Sequence, residues 1–204
     1  MSGLDLPEKG SNRGYESMQK LKVVLDLSFG CINILVAQDD FVVTNKNDTI
    51  YGEVITTTFN GFITGEAKIK YKDENGKQNK DTFSANSLKG YYKDGLFYGT
   101  QMVDEKDING HFIKIFVRKI VRGPLSLFQQ ESTEYRGPTA QTTLTYYFKK
   151  ETETCMTQAR PNQKKLLKYF DDCQEVKNAI INKSINKKDF KSLVSLYNGN
   201  CAAY

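Results

Sequence analysis

Apolar and polar positions alternate strictly from Glu66 to Lys72, with Ala67, Ile69 and Tyr71 on one face and Glu66, Lys68, Lys70 and Lys72 on the other. That is the period of a strand with one face buried. Similar runs recur across residues 39–150. Phe41–Thr44 reads as a short strand, and Asn45-Lys46-Asn47-Asp48 as a turn, because Asn and Asp tolerate left-handed backbone. Thr49–Thr58 continues as one β-branched strand. Asn75-Gly76 and Asp94-Gly95 are hairpin signals; the first returns through Asp81–Ser84, and the second joins Gly90–Lys93 to Leu96–Val103. Ala85–Lys89 between them is short and reads as a single helical turn. Phe112–Arg122 is a long strand broken by Gly123-Pro124, and Leu125–Gln129 follows it. Residues 104–110 and 131–141 are polar and read as loops. Thr142–Lys150 alternates again, with Leu144, Tyr146 and Phe148 inward.

The period changes after Lys150. Arg160-Pro161-Asn162 is a helix start, followed by apolar Leu166, Leu167 and Phe170, then Val176, Ile180 and Ile181. Phe190, Leu193, Val194 and Tyr197 share one helix face, and Asn198-Gly199 is the expected stop. None of these helices is long enough to stand alone. The pattern predicts an α+β chain. Residues 39–150 form an antiparallel sheet of about seven or eight strands, curved and barrel-like, and residues 151–204 form a small helical subdomain.

Residues 18–38 have another character. Lys20 and Lys22 precede the apolar run Val23 to Ala37, which ends before Gln38-Asp39-Asp40. A basic start, an apolar middle and a small residue at the end describe a signal peptide, with cleavage after Ala37 or Gln38. The run is short for a membrane span. Asp26 sits awkwardly inside it, and polar residues 1–17 precede it, so translation is expected to begin at Met18, with 1–17 a non-native extension. Ser28-Phe29-Gly30-Cys31 has the look of a lipoprotein site, but apolar residues continue past the cysteine. The alternative is a buried strand or helix at 21–37 in a cytosolic protein.

Export changes the reading of the cysteines. Cleavage removes Cys31 and leaves Cys155, Cys173 and Cys201 for an oxidising compartment. Cys173 and Cys201 flank short helical segments and are the favoured pair, a link that stabilises by roughly 3–4 kcal/mol through chain entropy. Cys155 then stays free or replaces one partner. No metal is expected, because the chain has a single histidine, His111, and no Cys-x-x-Cys.

Four stretches carry a resemblance. They are Asn47-Asp48-Thr49-Ile50-Tyr51-Gly52-Glu53-Val54, then Gly123-Pro124-Leu125-Ser126-Leu127-Phe128, Tyr169-Phe170-Asp171-Asp172-Cys173, and Leu193-Val194-Ser195-Leu196-Tyr197-Asn198-Gly199-Asn200-Cys201. Together they resemble a group of uncharacterised exported proteins of Bacteroidota-type bacteria, with the pattern D-T-I-x-G-x-I, G-x-[IVL]-x-L-[YF], F-x-D-C-P and Y-N-x-C. The resemblance covers most of residues 40–201. Gln174 stands where the group has proline, so that turn is expected to differ. What it implies is an exported domain with β structure first and helices last; it carries over no catalytic residue.

The composition excludes more than it selects. Aromatic residues are 12% of the 204, all Phe or Tyr, and the net charge is +5. Arg118, Lys119 and Arg122 are the densest basic cluster, too small to predict nucleic-acid binding. There is no Gly-x-Ser-x-Gly elbow. Residues 61–65 lack the Lys-Ser/Thr of a phosphate loop. Asp171-Asp172 diverge on a helix, and His111 reads as a loop residue, so no catalytic residue, enzyme activity or cofactor is predicted. Tyr91, Tyr92 and Tyr98 around one hairpin, with Tyr147 beside Tyr146 on a later strand, are the candidate ligand or partner surface; otherwise they pack the sheet. Three functions remain, in this order: a cell-envelope binding module with an envelope protein or ligand as partner, periplasmic or outer-membrane associated; an enzyme with an unfamiliar site near His111; and an accessory structural subunit with an exposed strand edge.

Overall fold

The computed structural model describes residues 39–56, 66–107, 109–136 and 139–201. The expected signal peptide at 18–38 and the extension at 1–17 lie outside the described residues. The described chain is an antiparallel β structure followed by helices. Strands β1 (Phe41–Thr44), β2 (Thr49–Tyr51), β6 (Leu88–Lys93), β7 (Leu96–Lys106), β8 (Phe112–Val121), β9 (Leu125–Arg136), β10 (Thr139–Lys150) and β11 (Thr157–Gln158) form one sheet in the order β11-β10-β9-β8-β7-β6-β1-β2. Strands β3 (Glu53–Thr56), β4 (Glu66–Lys72) and β5 (Gln78–Ser84) form a second sheet in the order β3-β4-β5.

The run expected as one strand at 49–58 is two. The chain bends at Gly52, where a Cβ would overlap the Lys70 carbonyl oxygen. β2 pairs with β1, and β3 crosses to pair with β4. Residues 57 and 58 lie outside the described set. At Ala85–Ser87 the chain makes a turn, closed by Ser87 N–H to Ser84 O at 3.0 Å, and not a helical turn. The Asp94-Gly95 hairpin forms as expected, with φ of 49° and 80° in the left-handed region its tight turn requires.

The polar stretch 131–141 is not a loop. β9 runs to Arg136 and β10 starts at Thr139, registered residue against residue from Leu125↔Lys150 to Arg136↔Thr139. Registered pairing of β9 with β8 ends at Gln129, while β9 and β10 stay paired to Arg136 and Thr139. Leu144, expected inward, is 47% exposed, whereas Phe148 on the same face is buried.

The large sheet curls but does not close into a barrel. Lys149 Nζ on β10 donates to Gln101 Oε1 on β7 at 3.0 Å, although β8 and β9 lie between these strands in the sheet. An isolated parallel bridge joins Val103 to Met156, flanked by Asp104 N–H to Met156 O at 2.9 Å and Met156 N–H to Met102 O at 2.8 Å. Three apolar clusters result. Val103, Ile115, Val117, Phe128, Tyr147 and Met156 fill the inside of the curl. Val42, Val54, Ile69, Leu88, Tyr91 and Phe116 lie between the two sheets. The third cluster joins Leu125, Leu127 and Phe148 to the helices.

Helices α1 (Gln163–Tyr169), α2 (Gln174–Ile181) and α3 (Phe190–Asn200) begin on side-chain caps where the sequence supplies them. Asn162 Oδ1 accepts the Lys165 N–H and Asp189 Oδ1 accepts the Ser192 N–H, each at 3.1 Å. Helix α3 runs past the expected stop at Asn198-Gly199, ending two residues beyond Asn198, whose side chain bonds to the sheet. Its Oδ1 accepts the Leu125 N–H and its Nδ2 donates to the Leu125 carbonyl, both at 2.9 Å. The side chain thus acts as a piece of strand at the start of β9. Leu125 is fully buried, so removing Asn198 leaves two buried backbone groups unpaired. Asn198→Ala should lower the unfolding free energy by about 2–4 kcal/mol, read from urea unfolding midpoints at unchanged slope.

Candidate functional site

Register places four aromatic side chains in one row across four strands. Tyr51 on β2 pairs with Phe41 on β1, Phe41 with Tyr92 on β6, and Tyr92 with Phe97 on β7. Directly paired residues share a face. The neighbours Val42, Ile50 and Tyr91 point the opposite way, into the cluster between the sheets. The Phe41 ring stacks on Tyr92 at 5.1 Å with 3° between planes, and tilts against Tyr51 at 5.7 Å. Tyr51 is 50% exposed and Phe97 48%. Phe97 lies over Gly90, where a Cβ would come within 2.7 Å of its Cζ. The missing side chain is what lets that ring lie down on the sheet.

At Phe97 the row opens on a cleft of about 840 Å³ along one end of the curl. Its walls carry Arg118, Lys119, Arg122, Lys149 and Lys150 against one acidic residue, Glu151. Lys119 Nζ sits 5.2 Å above the Phe128 ring. Arg118 Nη2 donates to Gln129 Oε1 at 3.0 Å. Lys149 is held by Gln101, as described. Among the described residues Lys119, Arg122 and Lys149 have no ion-pair partner. Cations gathered around a concave wall that holds a single acidic residue raise the local concentration of anions.

Lys150 faces the helices. Its Nζ donates to Asp172 Oδ2 at 2.8 Å and to the Tyr169 carbonyl at 3.2 Å, and stands 5.1 Å over the Tyr169 ring. Tyr197 OH donates to the same Asp172 oxygen at 2.7 Å, and Tyr169 OH donates to Glu153 Oε2 at 2.9 Å. Partial burial pushes the Asp172 carboxyl up, but the hydrogen bonds from Lys150 and Tyr197 and the Lys150 charge outweigh it and hold the group below the usual carboxylate value. Burial, then the neighbouring carboxylates, push both tyrosine hydroxyls up.

The tyrosines singled out in the sequence separate. Tyr92 lies in the row and is half-buried. Tyr91 is buried against Tyr98 at 4.9 Å and Phe116 at 5.0 Å, and half-buried Tyr98 shares its face. Tyr147 is buried inside the curl and its hydroxyl donates to Gln130 Oε1 at 3.1 Å; burial, then Glu105, pushes it up to about 12. As a partner surface, Tyr91 and Tyr147 are therefore corrected to core residues. The sequence reading missed Phe41, Tyr51, Phe97 and Lys149. The Asp94-Gly95 turn already implies the Tyr92–Phe97 pair, and the 45–48 turn implies Phe41–Tyr51. No local signal gives the pairing of β1 with β6 that joins them.

Cys173 and Cys201 form a disulfide with Cα atoms 5.5 Å apart, and Cys155 is free. Glu175 Oε2 lies 3.1 Å from the Cys201 sulfur and 3.9 Å from that of Cys173. These three groups have metal-ligand proximity, but metals take thiolates and the sulfurs here are joined. His111 is exposed on its loop, Nδ1 3.8 Å from Asp107 Oδ2, apart from the cleft. Among the described residues no helix is long and apolar enough to cross a membrane. No family model, curated protein or solved structure matches the chain.

Asp172 gives this end of the molecule a pH dependence. A carboxyl lowered in the folded state adds stability above its unfolded pKa of about 4 and loses it as pH falls through the folded value. Asp172→Asn should therefore destabilise the protein at pH 7, and the gap to the parent chain should shrink steadily toward pH 3 in urea titrations.

Proposed function

We propose that the chain is an exported binding module of the cell envelope, acting in the periplasm or at the outer membrane, and that its cleft holds an anionic ligand. Kinship with the exported Bacteroidota-type proteins belongs to this proposal. The observation that carries the binding reading is the cleft itself: Lys119, Arg122 and Lys149, without ion-pair partners among the described residues, stand on a concave wall beside an aromatic row whose end rings, Tyr51 and Phe97, are exposed. Ligand sites combine concavity, apolar surface and a few convergent polar groups in this way. Export is supported by the pattern of residues 18–38 and by the Cys173–Cys201 disulfide, which suits an oxidising compartment. The row and cleft offer contact surface and charge, the means of a binder. His111, where an enzyme reading would centre, stands in solvent beside Asp107.

Two measurements check the proposal. Expressed from Met18 in a Gram-negative host, the protein should be recovered from the periplasm with a mass starting at Gln38 or Asp39. Cys173 and Cys201 should resist alkylation until reduced; an uncleaved chain with every cysteine reactive ends the export reading. On dextran sulfate resin, the variant Lys119→Gln/Arg122→Gln/Lys149→Gln should elute at clearly lower salt than Lys187→Gln/Lys188→Gln/Lys191→Gln, which removes the same charge elsewhere. Equal elution means the retention is net charge and the cleft is not its site.

A further inference from the structure

A second hollow, of about 220 Å³, lies among the end of β7, strands β10 and β11 and helix α1. Its floor is apolar: Val103, Phe148, Met156 and Leu166 are buried there. Its rim is charged, and the charges balance. Asp104 and Glu105 stand on β7, Arg160 follows β11 and Lys165 lies on α1, all four exposed. Among the described residues none of the four takes part in an ion pair. Two acids and two bases that line one hollow without pairing are kept apart across it.

Two of these groups are set for a ligand. Arg160 Nε donates to Gln158 Oε1 at 2.8 Å, which restrains the plane of the guanidinium. Both Nη groups are left without a partner among the described residues. Two parallel N–H donors match the two oxygens of a carboxylate. The Glu105 charge acts on the Tyr147 hydroxyl in the same wall, yet no donor among the described residues bonds its carboxylate. The two tyrosine hydroxyls of the lining are already committed, Tyr147 to Gln130 and Tyr169 to Glu153. What the hollow offers is therefore charge of both signs above an apolar floor.

That combination selects the ligand. A simple anion would meet Asp104 and Glu105, and a simple cation would meet Arg160 and Lys165. A neutral molecule would desolvate charged groups without pairing them. A zwitterion satisfies both signs. Size then limits it: 220 Å³ is below the roughly 300–1,000 Å³ of a drug-sized site. It equals the space of about seven liquid waters, room for one amino acid and not for a peptide. The apolar floor calls for an apolar side chain.

We infer that the hollow binds a single α-amino acid with an apolar side chain, its carboxylate on the Nη groups of Arg160, its ammonium on Glu105 and its side chain against Met156 and Leu166. Binding is non-covalent. The site shares no residue with the basic cleft and does not depend on the anion-binding reading.

Titration of the whole isotope-labelled protein with L-leucine, followed by amide NMR shifts, tests it. The shifts should centre on Met156, Thr157, Gln158 and Leu166. N-acetyl-leucine lacks the ammonium, leucine amide lacks the carboxylate, and glycine lacks the side chain. Each should bind at least about tenfold more weakly, because each gives up one of the three contacts. Dileucine, too large for the hollow, should also bind more weakly. Arg160→Gln and Glu105→Gln should each weaken leucine by a similar factor. Lys164→Gln, which removes an exposed charge of α1 outside the hollow, should leave leucine binding unchanged. Circular dichroism checks that these surface variants are folded. The inference is overturned by no shift with leucine, by shifts centred on other amides, or by equal binding of any of the four analogues. An equal loss in Lys164→Gln, or none in Arg160→Gln and Glu105→Gln, overturns it as well. None of these outcomes bears on the cleft, whose reading is decided separately on the sulfated resin.

Discussion

The C-terminal helices are held by a side chain acting as backbone. Asn198 presents an amide to Leu125 in the geometry of a neighbouring strand, at the point where β8 has turned at Gly123-Pro124 and β9 begins. Gly123 has no room for a Cβ, which would fall 2.8 Å from the Asn198 side-chain carbon. From this anchor the rest follows. Tyr197, one residue earlier, reaches Asp172; Asp172 holds Lys150 at the end of β10; and Cys201, one turn on, is joined to Cys173. Helices of 7, 8 and 11 residues have little stability of their own. They persist because their apolar faces cover Leu125, Leu127 and Phe148, and because these polar links fix their orientation.

That cap decides which face of the sheet is free. The helices cover the outer face of β9 and β10, so Lys150 turns toward them and is neutralised by Asp172. Lys149, one residue before, points the other way and meets Gln101 across the curl. Two adjacent lysines thus have opposite duties because strand side chains alternate. The inside of the curl is closed by Val117, Phe128 and Tyr147 at its centre and left open at its rim, where Lys119 and Lys149 stand. The basic character of the cleft is a product of the registers of β8 and β10 on the intervening β9, and it is assembled from residues thirty positions apart.

Much of this was legible in the chain. The alternation at Glu66–Lys72 gives β4 residue for residue, Asp94-Gly95 gives its hairpin, and Asn162 gives the start of α1. The face formed by Phe190, Leu193, Val194 and Tyr197 is buried as its spacing requires. Two kinds of feature escaped. Residues 131–141 show no apolar alternation, so nothing in their pattern separates strands from a loop; only the pairing of β9 with β10 distinguishes them. The aromatic row depends on β1 meeting β6, a contact between segments almost fifty residues apart, and hairpin turns specify only adjacent strands. Tyrosine enrichment pointed to the right hairpin, but one step of the strand period separates Tyr92, in the row, from Tyr91, in the core.

The bridge between Val103 and Met156 has a consequence in time. The curl is begun by β7 and β8 but is tied only when the segment after β10 returns to β7, and the cap is set only by Asn198 and Cys201. Loop closure over such separations is slow compared with local pairing. The cluster between the two sheets is complete by Phe116, whereas the inside of the curl waits for Tyr147 and Met156 and the third cluster for the helices. The native arrangement of curl and cap is therefore reached only through contacts between segments far apart in the chain.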